Sequence, residues 1–173
     1  MRIIITETKA YQYSELSGEA KQAVLEKMHD INVDYDWWND TFDDAKIVGL
    51  EICHFDISSV EAKFIDSAGD TADKIMENHG ETCETYGTAV NFIYNRDVIV
   101  DTAERDENGD FCDEWQVDNE LDECEGEFLK SLCEDYRIIL RKDYEYLSSE
   151  ESIIETIDAN GYEFTTEGKL ILS

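Results

Sequence analysis

The chain carries 43 acids against 14 bases over 173 residues, a formal charge of −29, with 42% apolar residues and no proline. Length and apolar share suffice for one ordinary domain, residues 1–173, with a real core, so disorder is not the default. A field of this sign repels nucleic acid and anionic lipid and attracts basic protein surfaces, so neither nucleic acid nor membrane is an expected direct partner.

In chain order, Arg2–Ile5 reads as a first strand that turns polar at Thr6-Glu7, too short for a signal peptide. Ser17 is placed to cap a helix whose apolar stripe is Ala20, Val24, Met28 and Ile31. A second helix is expected from about Asp34 to Val48, stopping at Gly49, with Asp34 and Asp36 in its first turn and Trp38, Phe42, Ala45 and Val48 inward. Leu50–Ile57 and Val60–Ile65 alternate as strands, and Asp70–Asn78 forms a short helix ending near Gly80.

Thr88–Val100 is apolar and β-branched and reads as a strand. The turn signal Asn108-Gly109 would pair Asp97–Arg105 with Asp110–Gln116 as a hairpin. A long helix follows at about 117–146, with the stripe Val117, Leu121, Cys124, Phe128, Leu132, Tyr136 and Ile139. Ser148 and Glu151 suggest a capping box for a further helix that stops at Asn160-Gly161. Tyr162–Phe164 and Lys169–Leu172 close the chain as a small hairpin. The expected class is α+β: antiparallel strands and hairpins packed with about five helices.

Between Asp101 and Glu127 there are thirteen acids and one base, Arg105. On the long helix Asp118, Asp122 and Glu125 fall on one flank of the apolar stripe and Glu120, Glu123 and Glu127 on the other. Residues three or four apart on a helix are neighbours, so each row is an array of closely spaced carboxylates, suited to a protein groove built for phosphates. The residues expected to contact a partner are Asp106, Glu107, Asp110, Asp113, Glu114, Asp118, Glu120, Asp122, Glu123, Glu125 and Glu127, with Trp37 as an aromatic anchor. Trp37 and Trp38 are adjacent, about 100° apart on a helix, so one of them is free to lie at an edge. The plainer reading of the acids is a solvated helix face, or a surface adapted to high salt. Nine lysines against five arginines and abundant isoleucine do not fit the second of these.

Glu104-x-Asp106-x-Asn108-Gly109 follows the start of a calcium loop, but its first position is Glu and its twelfth is Trp115. The close pairs Cys53-His54 and His79 with Cys83 have no metal-site spacing, and no nucleophile motif, phosphate loop or basic stripe is present. No catalytic residue, metal ligand or cofactor is assigned. The five cysteines (Cys53, Cys83, Cys112, Cys124, Cys133) are odd in number and never form Cys-x-x-Cys, as expected for reduced thiols in a cytoplasm.

Two stretches carry a resemblance. One is Tyr13-Ser-Glu-Leu-Ser-Gly-Glu-Ala-Lys21 with Asp36-Trp37-Trp38 and Asp43-Asp44-Ala45. The other is Glu145-Tyr-Leu-Ser-Ser149 with Ile153-Ile-Glu-Thr-Ile157, Ala159-Asn160 and Tyr162-Glu-Phe-Thr165. Together they resemble a family of small acidic phage-encoded proteins, loosely labelled antitoxin-like. The centre departs from that family, lacking its Trp- and Gly-rich segment between Phe55 and Gly69. The resemblance implies a phage setting inside a bacterial host and assigns no catalytic residue. The expectation that joins it to the charge is a DNA-mimic inhibitor of a basic nucleic-acid-binding protein of host defence, such as a restriction or CRISPR enzyme, or of DNA processing. The alternatives are an antitoxin-like regulator of one basic partner without mimicry, and a metal-dependent enzyme built on carboxylates.

Overall fold

The structure, a computed structural model, describes residue 7 and residues 9–171. The expected strand Arg2–Ile5 lies outside the described residues. The elements in order are β1 (Tyr11–Gln12), a 3-10 turn (Tyr13–Glu15), α1 (Gly18–Lys27), α2 (Asn39–Ile47), β2 (Leu50–Asp56), β3 (Ser59–Phe64), α3 (Ala68–Asn78), α4 (Glu84–Thr102), α5 (Glu114–Leu147), α6 (Glu150–Ala159), β4 (Glu163–Phe164) and β5 (Leu170–Ile171). The class is α+β, with two small antiparallel sheets, in the orders β1-β4-β5 and β2-β3. The chain divides into two compact units, 1–37 with 142–173, and 38–141.

In the first unit, Ser17 caps α1 by accepting from the Ala20 amide at 3.3 Å. Val24, Ile157 and Phe164 are buried with Tyr13, Leu16, Ala20, Leu25 and Ile153. Within this core the buried Asn32 is saturated: its Nδ2 donates to Leu147 O at 3.1 Å and Ser152 Oγ at 3.0 Å, and its Oδ1 accepts from Thr156 at 2.7 Å. Buried amides are retained at little cost only when satisfied in this way. The cap of α6 is Ser149, which accepts from Ser152 N at 3.3 Å. The expected cap, Ser148, instead donates back to Tyr144 O at 2.7 Å, because α5 runs on to Leu147.

In the second unit, Ala45, Val48, Leu50, Ala72, Ile75, Phe92, Phe128, Leu132 and Tyr136 form the core. Phe92 stacks on Phe128 with centroids 4.3 Å apart, and Phe64 adds a further ring at 5.7 Å. The β2-β3 hairpin pairs Leu50 with Phe64 and Asp56 with Ser59. Asp56 accepts from the Ser58 hydroxyl and from the Ser58 and Ser59 amides, which close the turn and hold its carboxyl down to about 2.

Three expectations are corrected here. The second helix starts at Asn39, so Asp34, Asp36 and Trp37 precede it. Val98 and its neighbours are helical, because Thr88–Val100 lies inside the 19-residue α4. Thr85, Ala89 and Phe92 face the core at helical spacing, and that burial overrides the β propensity of the segment. The hairpin at 97–116 reduces to the bridge Arg105–Phe111 around the turn, with helix on both sides. The long-helix stripe holds from Val117 to Tyr136, after which Leu140 is buried and Ile139 is exposed.

Candidate functional site

The acidic segment is built from the turn after α4 and the first half of α5. Gly109, at φ +88°, takes the left-handed position that the turn requires. Asp106 accepts from the amides of Asn108 at 2.8 Å and Asp110 at 3.0 Å, and these bonds lower its pKa. This carboxylate closes its own turn. Asp113 caps α5 by accepting from Gln116 N at 3.0 Å, and Gln116 in turn donates to Glu120 at 2.8 Å.

All eleven acids expected to face a partner are exposed: Asp106, Glu107, Asp110, Asp113, Glu114, Asp118, Glu120, Asp122, Glu123, Glu125 and Glu127. Among the described residues, no cation pairs with any acid of 101–127. Ion pairs form elsewhere, among them Glu51–Lys63, Asp66–Lys74 and Glu134–Arg137. Arg105, the one base of the segment, is exposed but folds back on its own turn: it donates to Gly109 O at 2.9 Å and lies 4.0 Å over the Phe111 ring, pairing with no carboxylate among the described residues. The acidic surface is therefore uncompensated.

The residues Glu114–Glu127 hold seven acids. That stretch is about 21 Å long, so the helix carries about one charge per 3 Å of axis. One strand of DNA carries about one per 3.4 Å and the duplex about one per 1.7 Å. The linear charge of this half-helix is thus that of one nucleic-acid strand. Two carboxylate rows border an outer strip of Trp115, Asn119 and Gly126, the positions farthest around the helix from Val117.

Trp37, the expected aromatic anchor, lies outside the acidic array in sequence. Trp37 is half-buried and packs on Tyr144 at 5.8 Å, while Trp38 packs on Phe55 at 6.4 Å. The exposed tryptophan is Trp115, at 77% of its full area, within the acidic array. Sequence reasoning missed it because the segment read as a strand. The signal was Asp113-x-x-Gln116, a cap pattern that starts the helix early and turns Trp115 outward.

A second arrangement joins residues that the sequence left separate. His79 Nδ1 lies 2.7 Å from Thr85 Oγ1, its Nε2 is 3.3 Å from Asp44 Oδ1 without an aligned hydrogen bond, and Tyr136 donates to Asp44 Oδ2 at 3.0 Å. Burial, then the Asp44 charge, pushes the Tyr136 phenol far up. Thr85 is buried, so its hydroxyl is shut off from solvent, and the chain of contacts ties α2, α3, α4 and α5 together. Asp135 is a further inward-facing acid: it accepts from Thr88 at 2.7 Å, and burial raises its pKa.

Among the described residues, no three His, Cys, Asp or Glu side chains converge to hold a metal ion, and no helix is long and apolar enough to cross a membrane. His54 is exposed on β2, and the five cysteines are free. Comparison of the chain with protein-family models, curated proteins and solved structures finds no match.

Proposed function

We propose that this chain acts as a phage-encoded inhibitor, presenting a DNA-like carboxylate surface to the basic groove of a nucleic-acid-binding protein of the host cytoplasm. The observation that carries the reading is the uncompensated array on the first half of α5. Its seven acids match the charge per length of one DNA strand while every ion pair among the described residues lies outside 101–127.

The array has an energetic cost. Glu114–Asp118, Asp118–Asp122, Glu120–Glu123, Asp122–Glu125 and Glu123–Glu127 are like-charge neighbours at three- or four-residue spacing. Each such pair destabilises a helix by about 0.2–0.5 kcal/mol, about 1–2.5 kcal/mol together. The cost is recovered when a cationic groove replaces the counterions. Binding is then competition: the carboxylates take the lysine and arginine partners of phosphate, and Trp115 fixes the register.

The test is a panel of purified restriction endonucleases, CRISPR effectors and repair nucleases, assayed for DNA cleavage with and without the chain. The reading expects inhibition of at least one member, relieved by added duplex DNA as in direct competition. Inhibition that duplex DNA does not relieve would favour binding without mimicry, and a shift of DNA by the chain itself would contradict the reading.

A further inference from the structure

Helix α4 has two faces. Thr85, Ala89 and Phe92 are buried, and Ile99 is half-buried beside them. The opposite face is also apolar: Tyr86, half-buried, is followed by Val90, Tyr94 and Val98 at 40%, 67% and 41% exposure. These four residues are spaced by four, so they form one continuous ridge about 18 Å long. Isolated exposed apolar residues are ordinary, but three within nine residues on one helix face form a stripe of the kind that marks a contact surface. No other element of the described structure gathers its exposed apolar residues so closely.

The charge on this face selects the occupant. Asp97 and Asp101 fall between and beside Tyr94 and Val98 on the same side of the helix, both exposed and without a cation partner among the described residues. Arg96, the one base on α4, is exposed but lies around the helix on the side of Phe92, away from the ridge. A second copy would bring two such carboxylate pairs, and two chains of charge −29, together. A partner bearing lysine or arginine beside an apolar stripe neutralises them instead.

We propose that the ridge Tyr86, Val90, Tyr94 and Val98 docks a cationic amphipathic helix of a partner protein. The apolar face of that helix lies along the ridge, and its lysines or arginines meet Asp97 and Asp101. The ridge is of the four-residue type, so the two helices cross at about −50°. This is helix recognition by apolar anchors at i and i+4, with charge setting partner choice. It stands apart from the DNA-like surface, which uses other residues.

The probe is a synthetic helical peptide with leucine at i and i+4 positions and lysine elsewhere, alongside a scrambled peptide of identical composition. Both are titrated calorimetrically into the full chain. The amphipathic peptide is expected to bind at least about tenfold more tightly than the scramble, and Val90→Ser with Tyr94→Ser abolishes that preference. Both substitutions are at exposed positions, and an unchanged far-ultraviolet dichroism spectrum checks that α4 is intact. Neutralising Asp118, Asp122 and Glu125 weakens both peptides alike and keeps the preference, which separates this site from the acidic array. Equal binding of the two peptides, or a preference that survives the double substitution, overturns the proposal. So does a dimer in sedimentation that the double substitution dissociates, since a second copy is then the occupant.

Discussion

Trp115 and Trp37 differ in exposure, so truncating each to alanine separates binding from folding. Trp115 is 77% exposed, and its side chain touches little that the fold needs. A buried aromatic side chain covers about 150–250 Å², which at about 25 cal/mol per Å² sets a ceiling of roughly 4–6 kcal/mol on its worth in an interface. Association and ordering costs consume much of that, so Trp115→Ala is expected to weaken partner binding by about 2–3 kcal/mol, roughly 30- to 150-fold. Its effect on stability stays within about 0.5 kcal/mol, a shift of about 2 °C or less. Trp37→Ala removes a ring packed 5.8 Å from Tyr144 and costs about 1.5–3 kcal/mol of stability, with affinity changed less than about threefold. Thermal melts and calorimetric titration against the nuclease identified by the cleavage panel measure both quantities. If Trp115→Ala leaves the dissociation constant unchanged while Trp37→Ala raises it, the exposed-anchor reasoning is refuted.

Gly168 sits at φ +73°, and a Cβ there would meet the Ala20 carbonyl oxygen at 2.5 Å. Gly168→Ala is therefore expected to lose about 2 kcal/mol or more in a denaturant melt, and a loss below about 0.5 kcal/mol would refute the close approach. Asp135 has a raised folded-state pKa from burial, so its ionised form costs stability at neutral pH and that cost disappears as pH falls through the raised value. Asp135→Asn should then melt a few degrees above the parent at pH 7, with the difference closing in acid; Asp56, lowered from 3.8 to about 2, contributes in the opposite sense, and its stabilisation is lost as pH falls toward about 2. Added salt should raise the melting temperature up to about 0.5 M, checked with two different salts, because crowded carboxylates repel; a steady fall in both would be the wrong outcome.

Much of the fold was legible where local signals agreed with tertiary demand. Ser17 and the stripe from Val117 to Tyr136 combine a cap with a consistent period, and β2 and β3 show partial alternation about a turn, interrupted by a register shift between Ile52 and His54. α4 was not legible for two reasons. Cys83 at its N-cap makes no side-chain bond, so no start signal exists, and apolar residues on both faces hide the helical period behind a β-branched composition. The start of α2 was misplaced because Asp34 and Asp36, attractive for a first turn, lie in irregular backbone before Trp38. The acidic residues of the site were readable directly, since charge needs no fold to be counted. Their lack of partners was not readable, because it depends on where Lys63, Lys74 and Arg137 are spent and on Arg105 turning into its own turn. Trp115 required the correct helix start.

The account rests on position-specific carboxylates, and charge reversal tests that most directly. Asp118, Asp122 and Glu125 are exposed on one flank of α5 and make no hydrogen bond or ion pair among the described residues; Glu19, Glu26 and Glu155 are comparably exposed acids far from the array in sequence. Each triple is changed to lysine and titrated by calorimetry against the same nuclease at two salt concentrations. The account predicts that the α5 triple weakens binding at least about 30-fold at low salt, with the loss shrinking as salt rises, while the control triple changes it less than about threefold. Equal losses from the two triples would show that only total charge matters, and would contradict a DNA-like surface on α5.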